Sequence, residues 1–152
     1  CASYVKEYGL DVKIVRPGHI YGPQITEGDS RAHAQFLRDV VAGRNIVMKS
    51  EGRQLRSYCY SLDCASAMLS VLNCGITGEA YNISNPDSLA TIRELALMHA
   101  KLTGRQVIFD CPSSKEAANF NMMSCSALNS DKIEALGWSG IYNLYDFIVN
   151  NF

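Results

Sequence analysis

No apolar run in this 152-residue chain approaches the roughly 20 residues that a membrane helix needs. The start, Cys1-Ala2-Ser3-Tyr4-Val5-Lys6, lacks the layout of a signal peptide. Both absences point to a cytoplasmic protein without a membrane partner. Net charge is only −1, which argues against a general nucleic-acid binder. The six cysteines (Cys1, Cys59, Cys64, Cys74, Cys111 and Cys125) include no pair with the two-residue gap of a zinc or redox site. Their irregular spacing is not that of a disulfide framework either, so they read as reduced, structural thiols. His19, His33 and His99 show no ligand spacing with one another or with the cysteines, and no metal is expected.

What is present is a globular chain. Residues are 47% hydrophobic and 19% charged, which excludes a disordered polyelectrolyte. The charge is uneven. Arg31, Arg38, Arg44, Lys49, Arg53 and Arg56 face only Asp39 and Glu51 in that segment, giving +4 there and −5 in the flanks together. Most of these side chains read as a solvated helix face and a turn. One or two are candidates for a compact anion such as a phosphate or diphosphate.

Periodicity and punctuation give alternating elements. Residues 2–8 read as helix with Gly9 as its cap, and 12–15 as a buried strand. That strand stops at Pro17 and opens into a Gly/Pro loop carrying His19 and Tyr21, at the strand end where open α/β sheets bind ligands. Residues 33–42 read as helix, 46–48 as a short strand, 51–54 as a turn, and 55–60 as a strand and possible hairpin partner. A helix follows over 62–72, capped by Ser61 or Asp63, and a strand over 80–84. Thr91-Ile92-Arg93-Glu94 is a capping box, opening a helix that ends near Gly104. A strand is expected at 106–110, an irregular loop over 111–127, and two closing helices over 129–136 and 144–151. Strands alternating with helices indicate α/β layers. A parallel sheet this small needs cover on both faces, so the chain reads as part of a larger sheet with marginal stability of its own.

Four motifs occur in order. They are Tyr8-Gly9-Leu10 with Val15-Arg16-Pro17 and Tyr21-Gly22-Pro23; Gly52-x-Gln54-x-Arg56-Ser57-Tyr58-x-Tyr60-x-x-Asp63; Tyr81-Asn82-Ile83-Ser84; and Ser130-x-Lys132-x-x-x-Leu136-Gly137-Trp138. Together they resemble the second half of extended short-chain dehydrogenase/reductases, the NAD-dependent nucleotide-sugar epimerases and dehydratases. The resemblance implies the C-terminal portion of a Rossmann-type α/β fold: the last parallel strands plus a small α/β substrate-binding domain. Residues 1–30 would end the Rossmann-type domain. Residues 31–152 would mainly form the substrate domain, with 62–84 returning a helix and strand to the Rossmann sheet. The N-terminal Gly-rich half would be absent: no G-x-G-x-x-G or G-x-x-G-x-x-G occurs, and no tyrosine has Lys four residues later.

The family pattern then implies site residues by position. Pro17 and Gly18 would lie beside the nicotinamide, His19 would face the sugar diphosphate, and Arg56 would clamp the diphosphate with its planar fork. Ile46, Val47 and Met48 would flank the nucleotide base. A second family arginine is missing from Cys111-Pro112-Ser113-Ser114-Lys115-Glu116, leaving Lys115 as a substitute point charge and Asn119 to Met123 as a different lid. No catalytic residue is expected in this chain. The implied reading is the sugar-nucleotide-binding half of a longer NAD-dependent, homodimeric parent, not catalytically competent alone. A non-catalytic nucleotide-sugar module, or a reductase acting on a non-nucleotide substrate, stands as the alternative.

Overall fold

The computed structural model describes residues 2–23, 25–110 and 123–150. They form two compact units: residues 1–21, 57–89 and 127–144, and residues 22–56, 90–126 and 145–152.

In the first unit, helix α1 (Ala2–Tyr8) precedes strand β1 (Ile14–Pro17), which pairs in parallel with β5 (Ala80–Ile83). Pro17 does not end the extended chain. One residue later β2 (His19–Tyr21) begins and pairs in parallel with β4 (Leu55–Tyr60), placing His19 opposite Tyr58. The expected loop is therefore a change of partner, and Gly18 permits it. Its amide still donates to Ile83 O at 2.9 Å, while a Cβ would lie 3.0 Å from both Ser57 O and Ser57 Oγ. Proline is tolerated toward β5 because the amides aimed at that strand alternate, Ile14 donating to Glu79 O and Gly18 to Ile83 O, so the Pro17 nitrogen faces away from it.

Helix α3 (Ser61–Cys74) crosses over between β4 and β5. Its Cys64, Ala67 and Val71 pack with Tyr81, Ile83, Ile133 and Trp138 in one core cluster. Neither Ser61 nor Asp63 caps it. The N-cap is Tyr60, without a side-chain bond, and the Asp63 carboxylate accepts from the amides of Ile141 and Tyr142 at 3.0 and 2.9 Å. Helix α5 (Asp131–Glu134) is shorter than expected, and Trp138 beyond it donates its indole N–H to Ser66 Oγ at 3.0 Å.

The second unit packs α2 (Ala32–Val41) against α4 (Ile92–Thr103), burying Ala34, Phe36 and Val40 on one helix and Leu95, Ala96, His99 and Ala100 on the other. The capping box forms as read, with Thr91 Oγ1 accepting from the Glu94 amide and Glu94 accepting from the Thr91 amide. The strand β3 (Ile46–Met48) pairs in parallel with β7 (Val107–Phe109) and not with β4, so no hairpin exists. The turn explains why. Gly52 has φ +68° and accepts from the Arg93 amide at 2.9 Å, and Gln54 accepts from Ile92 at 3.2 Å. These bonds tie the turn and the start of β4 to the opening of α4, which follows β6 (Leu89–Thr91). Within the stretch read as irregular lies a further strand, β8 (Cys125–Ser126), parallel to the first residues of β4. Helix α6 (Leu144–Asn150) closes the described chain. No helix among the described residues is long and apolar enough to cross a membrane.

Candidate functional site

At the tip of β1, Pro17 is exposed while Gly18 and His19 are half-buried. The His19 ring lies 5.7 Å from the Tyr58 ring, which is itself buried. Tyr58 begins an aromatic series: Tyr21 at 6.4 Å, then Tyr60 5.6 Å from Tyr21, then Tyr142 4.8 Å from Tyr60. Such spacings suit tilted and edge-on ring packing. Tyr21 donates its hydroxyl to Tyr142 O at 3.2 Å, and burial holds its pKa well above the ordinary phenol range. Tyr21 thus serves here as a hydroxyl donor. Burial likewise pushes the Cys59 thiol up to about 12 and raises that of Cys64, which disfavours the thiolate in both.

The basic run of the second unit sorts itself by partner. Arg31 pairs with Asp29, Arg44 with Asp39, Arg53 with Glu51 and Lys49 with Asp110. Arg31 also holds the Asp29 carboxyl far below the usual carboxylate range. Arg38 donates to two loop carbonyls, Thr26 O at 3.0 Å and Asp29 O at 2.6 Å, fastening that loop to α2. Arg56 is different. It is 8% exposed, and its guanidinium donates to Leu55 O at 3.0 Å and Met123 O at 3.2 Å, with no carboxylate partner among the described residues. A buried cation is costly unless an anion or several hydrogen bonds answer it. Opposite Arg56 in register stands Ser126, whose hydroxyl oxygen is buried without a hydrogen-bond partner among the described residues. Both groups are suited to an anionic, acceptor-rich ligand.

The remaining expected residues fare unevenly. Ile46 and Met48 are buried core, and of that strand only Val47, 37% exposed, offers surface. Lys115, and all of the expected lid except Met123, lie outside the described residues. Reading the sequence missed Ser126, whose two-residue strand carries no period, and the bonds of Asp63 to the segment before α6. For Asp63 a cue existed in the motif, but a cap was the nearer explanation.

The model of the family described as "NAD dependent epimerase/dehydratase family" matches residues 1–84. The chain belongs to this family. UDP-glucuronic acid decarboxylase 3 of Arabidopsis thaliana is 30% identical over 94 residues, 62% of this chain and 27% of that protein. Human dTDP-D-glucose 4,6-dehydratase is 28% identical over 145 residues, 90% of this chain and 39% of that protein. Among solved structures, UDP-glucose 4-epimerase of Thermotoga maritima, with UDP-glucose, superposes with TM-score 0.82 at 24% identity, over 97% of this chain and 46% of its own. A dTDP-glucose 4,6-dehydratase from Streptomyces venezuelae, with NAD bound, gives 0.80 at 24% identity, over 98% and 45%. The fold is therefore that of the Rossmann-type epimerases and dehydratases. The chain spans less than half the length of these relatives.

Family membership implies NAD, and the described residues test the fit. The space that a side chain at Gly18 would fill is taken by Ser57, so this glycine answers strand packing and not a pyrophosphate. Pro17 beside it is exposed at the tip of β1.

Proposed function

We propose that this chain supplies the nucleotide-sugar-binding half of an NAD-dependent epimerase or dehydratase, the dinucleotide fingerprint and the catalytic Tyr–Lys pair being provided by the rest of that fold. In this reading residues 1–30 close the cofactor-binding layer, 62–84 return to it, and the remainder of 31–152 is mainly the substrate domain. Arg56 clamps the diphosphate, Ser126 adds a hydroxyl, and Val47 offers apolar surface to the base within the strand Ile46 to Met48. His19 donates to the sugar, Pro17 and Gly18 border the nicotinamide, and Lys115 closes on the phosphates. The parent would act in the cytoplasm as a homodimer.

One observation carries the reading: the Arg56 guanidinium is buried and answered only by main-chain carbonyls among the described residues. A planar fork left in that state is the group that bidentate phosphate recognition uses. Calorimetric titration with UDP and dTDP tests it. Binding to the 152-residue chain is expected, and Arg56→Ala is expected to weaken it about 10- to 100-fold, the worth of hydrogen bonds to a charged group. Arg56→Lys, which keeps the charge but loses the fork, should fall between. Equal affinity in all three proteins would overturn the assignment.

A further inference from the structure

Helix α4 is apolar on two faces. Leu95, Ala96, His99 and Ala100 face the interior of the second unit. On another side Glu94, Leu97, Met98, Lys101, Leu102 and the Tyr145 ring line an open cleft of about 350 Å³ within that same unit. Leu97 is 45% and Tyr145 55% exposed, so the cleft presents apolar surface to solvent. Positions 94, 97, 98 and 101 stand at i, i+3, i+4 and i+7, one stripe of the helix. The stripe has a charge at each end and apolar groups between. Glu94 uses one oxygen in the capping box, while its other oxygen has no hydrogen bond among the described residues. Lys101 carries no ion pair among the described residues.

We propose that this stripe is a self-association surface, on which α4 of a second copy lies antiparallel across a twofold axis. The charge order selects the second copy as occupant. Glu94 and Lys101 are two turns apart, about 10 Å along the axis. A twofold axis midway between Leu97 and Met98 sets Glu94 against Lys101 of the partner subunit, and Lys101 against Glu94 of the partner subunit. The two Leu97 side chains meet at the centre, and each Tyr145 walls the cleft beside the opposing helix. This is the self-complementary pattern that an isologous interface requires. One helix stripe is smaller than the roughly 1,200–2,000 Å² of a stable interface, so the dimer is reversible and concentration-dependent. The stripe shares no residue with those assigned to the nucleotide sugar, and the inference stands or falls independently of that reading.

Sedimentation velocity across about a hundredfold range of concentration reads the association directly. The wild-type chain is expected to gain mass with concentration, less so at high salt, where the end charges are screened. Lys101→Glu and Leu97→Asp should each weaken dimerisation about tenfold or more, whereas Leu69→Asp, on the exposed side of α3, should leave it unchanged. The sharpest result is a mixture. Lys101→Glu and Glu94→Lys place like charges together in their own dimers, yet one copy of each restores both opposite pairs, so mixing should recover association. If Glu94→Lys unfolds through loss of its cap, as circular dichroism would show, the Lys101→Glu and Leu97→Asp results decide the question. A wild-type chain monomeric throughout, association unmoved by these two variants, or folded variants that do not associate on mixing would each overturn the proposal.

Discussion

The two compact units differ most in one buried group and in what answers it. In the first, buried polar side chains answer the main chain. Asp63 accepts from Ile141 and Tyr142, Asn85 donates to Tyr142 O at 3.0 Å, Ser84 donates to Leu128 O at 3.0 Å, and Ser88 accepts from Leu144 at 2.9 Å. Each is a fold-holding bond, satisfied without any ligand. In the second unit the charged groups pair mostly at the surface, where such pairs contribute little. Its exception is Arg56, buried and lacking an anion among the described residues. The division between the units falls between Arg56 and Ser57, inside one motif and one strand. Adjacent residues of a motif can thus stand in unlike surroundings: Ser57, Tyr58 and Asp63 are tied into the fold, and Arg56 is the residue proposed to take a ligand.

The largest way to break this contrast is at Asp63. Asp63→Ala removes the charged acceptor of two main-chain amides, and the expected loss is about 2–4 kcal/mol in urea denaturation. A loss within the roughly 0.5 kcal/mol typical of surface changes would remove the case that the first unit's polar residues are structural. The second unit has its own rigid point in Gly52. With φ +68° there, an added Cβ would lie 2.2 Å from Met48 Cε and 2.8 Å from the Arg93 nitrogen. Met48 can swing aside, but the Arg93 backbone cannot without loosening the start of α4. Gly52→Ala is expected to cost about 1–3 kcal/mol by the same assay. An unchanged midpoint would mean that the turn is free to move.

How far these roles were legible follows the same division. Local signals were read correctly where one residue decides the geometry: the Thr91–Glu94 capping box, and the helix end at Gly104, which has φ +65°. Signals that depend on a distant partner were not. Leu55 to Tyr60 reads as a hairpin arm because its neighbour along the chain is a strand, yet its partners are His19 to Tyr21 and Cys125 to Ser126. Pro17 reads as a stop because proline lacks an amide, although its nitrogen faces away from β5, whose carbonyls take the Ile14 and Gly18 amides. For the candidate site, residue type was informative and burial was not. Six basic residues crowd one segment, and only the structure separates Arg56 from those that have a carboxylate or a loop to bond. The roles of His19 and Pro17 remain assignments by position within the family pattern.

Two smaller effects sharpen the comparison. Arg56→Met should change stability by less than about 1 kcal/mol, because relief of a buried charge offsets two lost bonds to carbonyls. Paired with a clear loss of UDP or dTDP affinity, that result would separate a ligand-holding residue from a fold-holding one. A large destabilisation would put Arg56 in the same class as Asp63.

The smallest effect belongs to His99, the buried histidine of α4. Its Nδ1–H donates to Leu95 O at 2.9 Å, and burial lowers its pKa from the ordinary 6.5, partly opposed by that bond. The sign follows from which state takes up the proton. Above about pH 6.5 the ring is neutral in both states and costs nothing. Below it the unfolded chain binds a proton that the folded chain resists, so stability falls as the pH drops toward the folded pKa. The slope from one group cannot exceed about 1.4 kcal/mol per pH unit. Denaturation midpoints measured from pH 8 down to pH 5.5 for the wild type and for His99→Leu should converge in slope at the alkaline end. Toward acid the wild type should lose stability more steeply. Parallel profiles would mean that α4 admits the charged ring, and that the interior of the second unit is wetter than its burial implies.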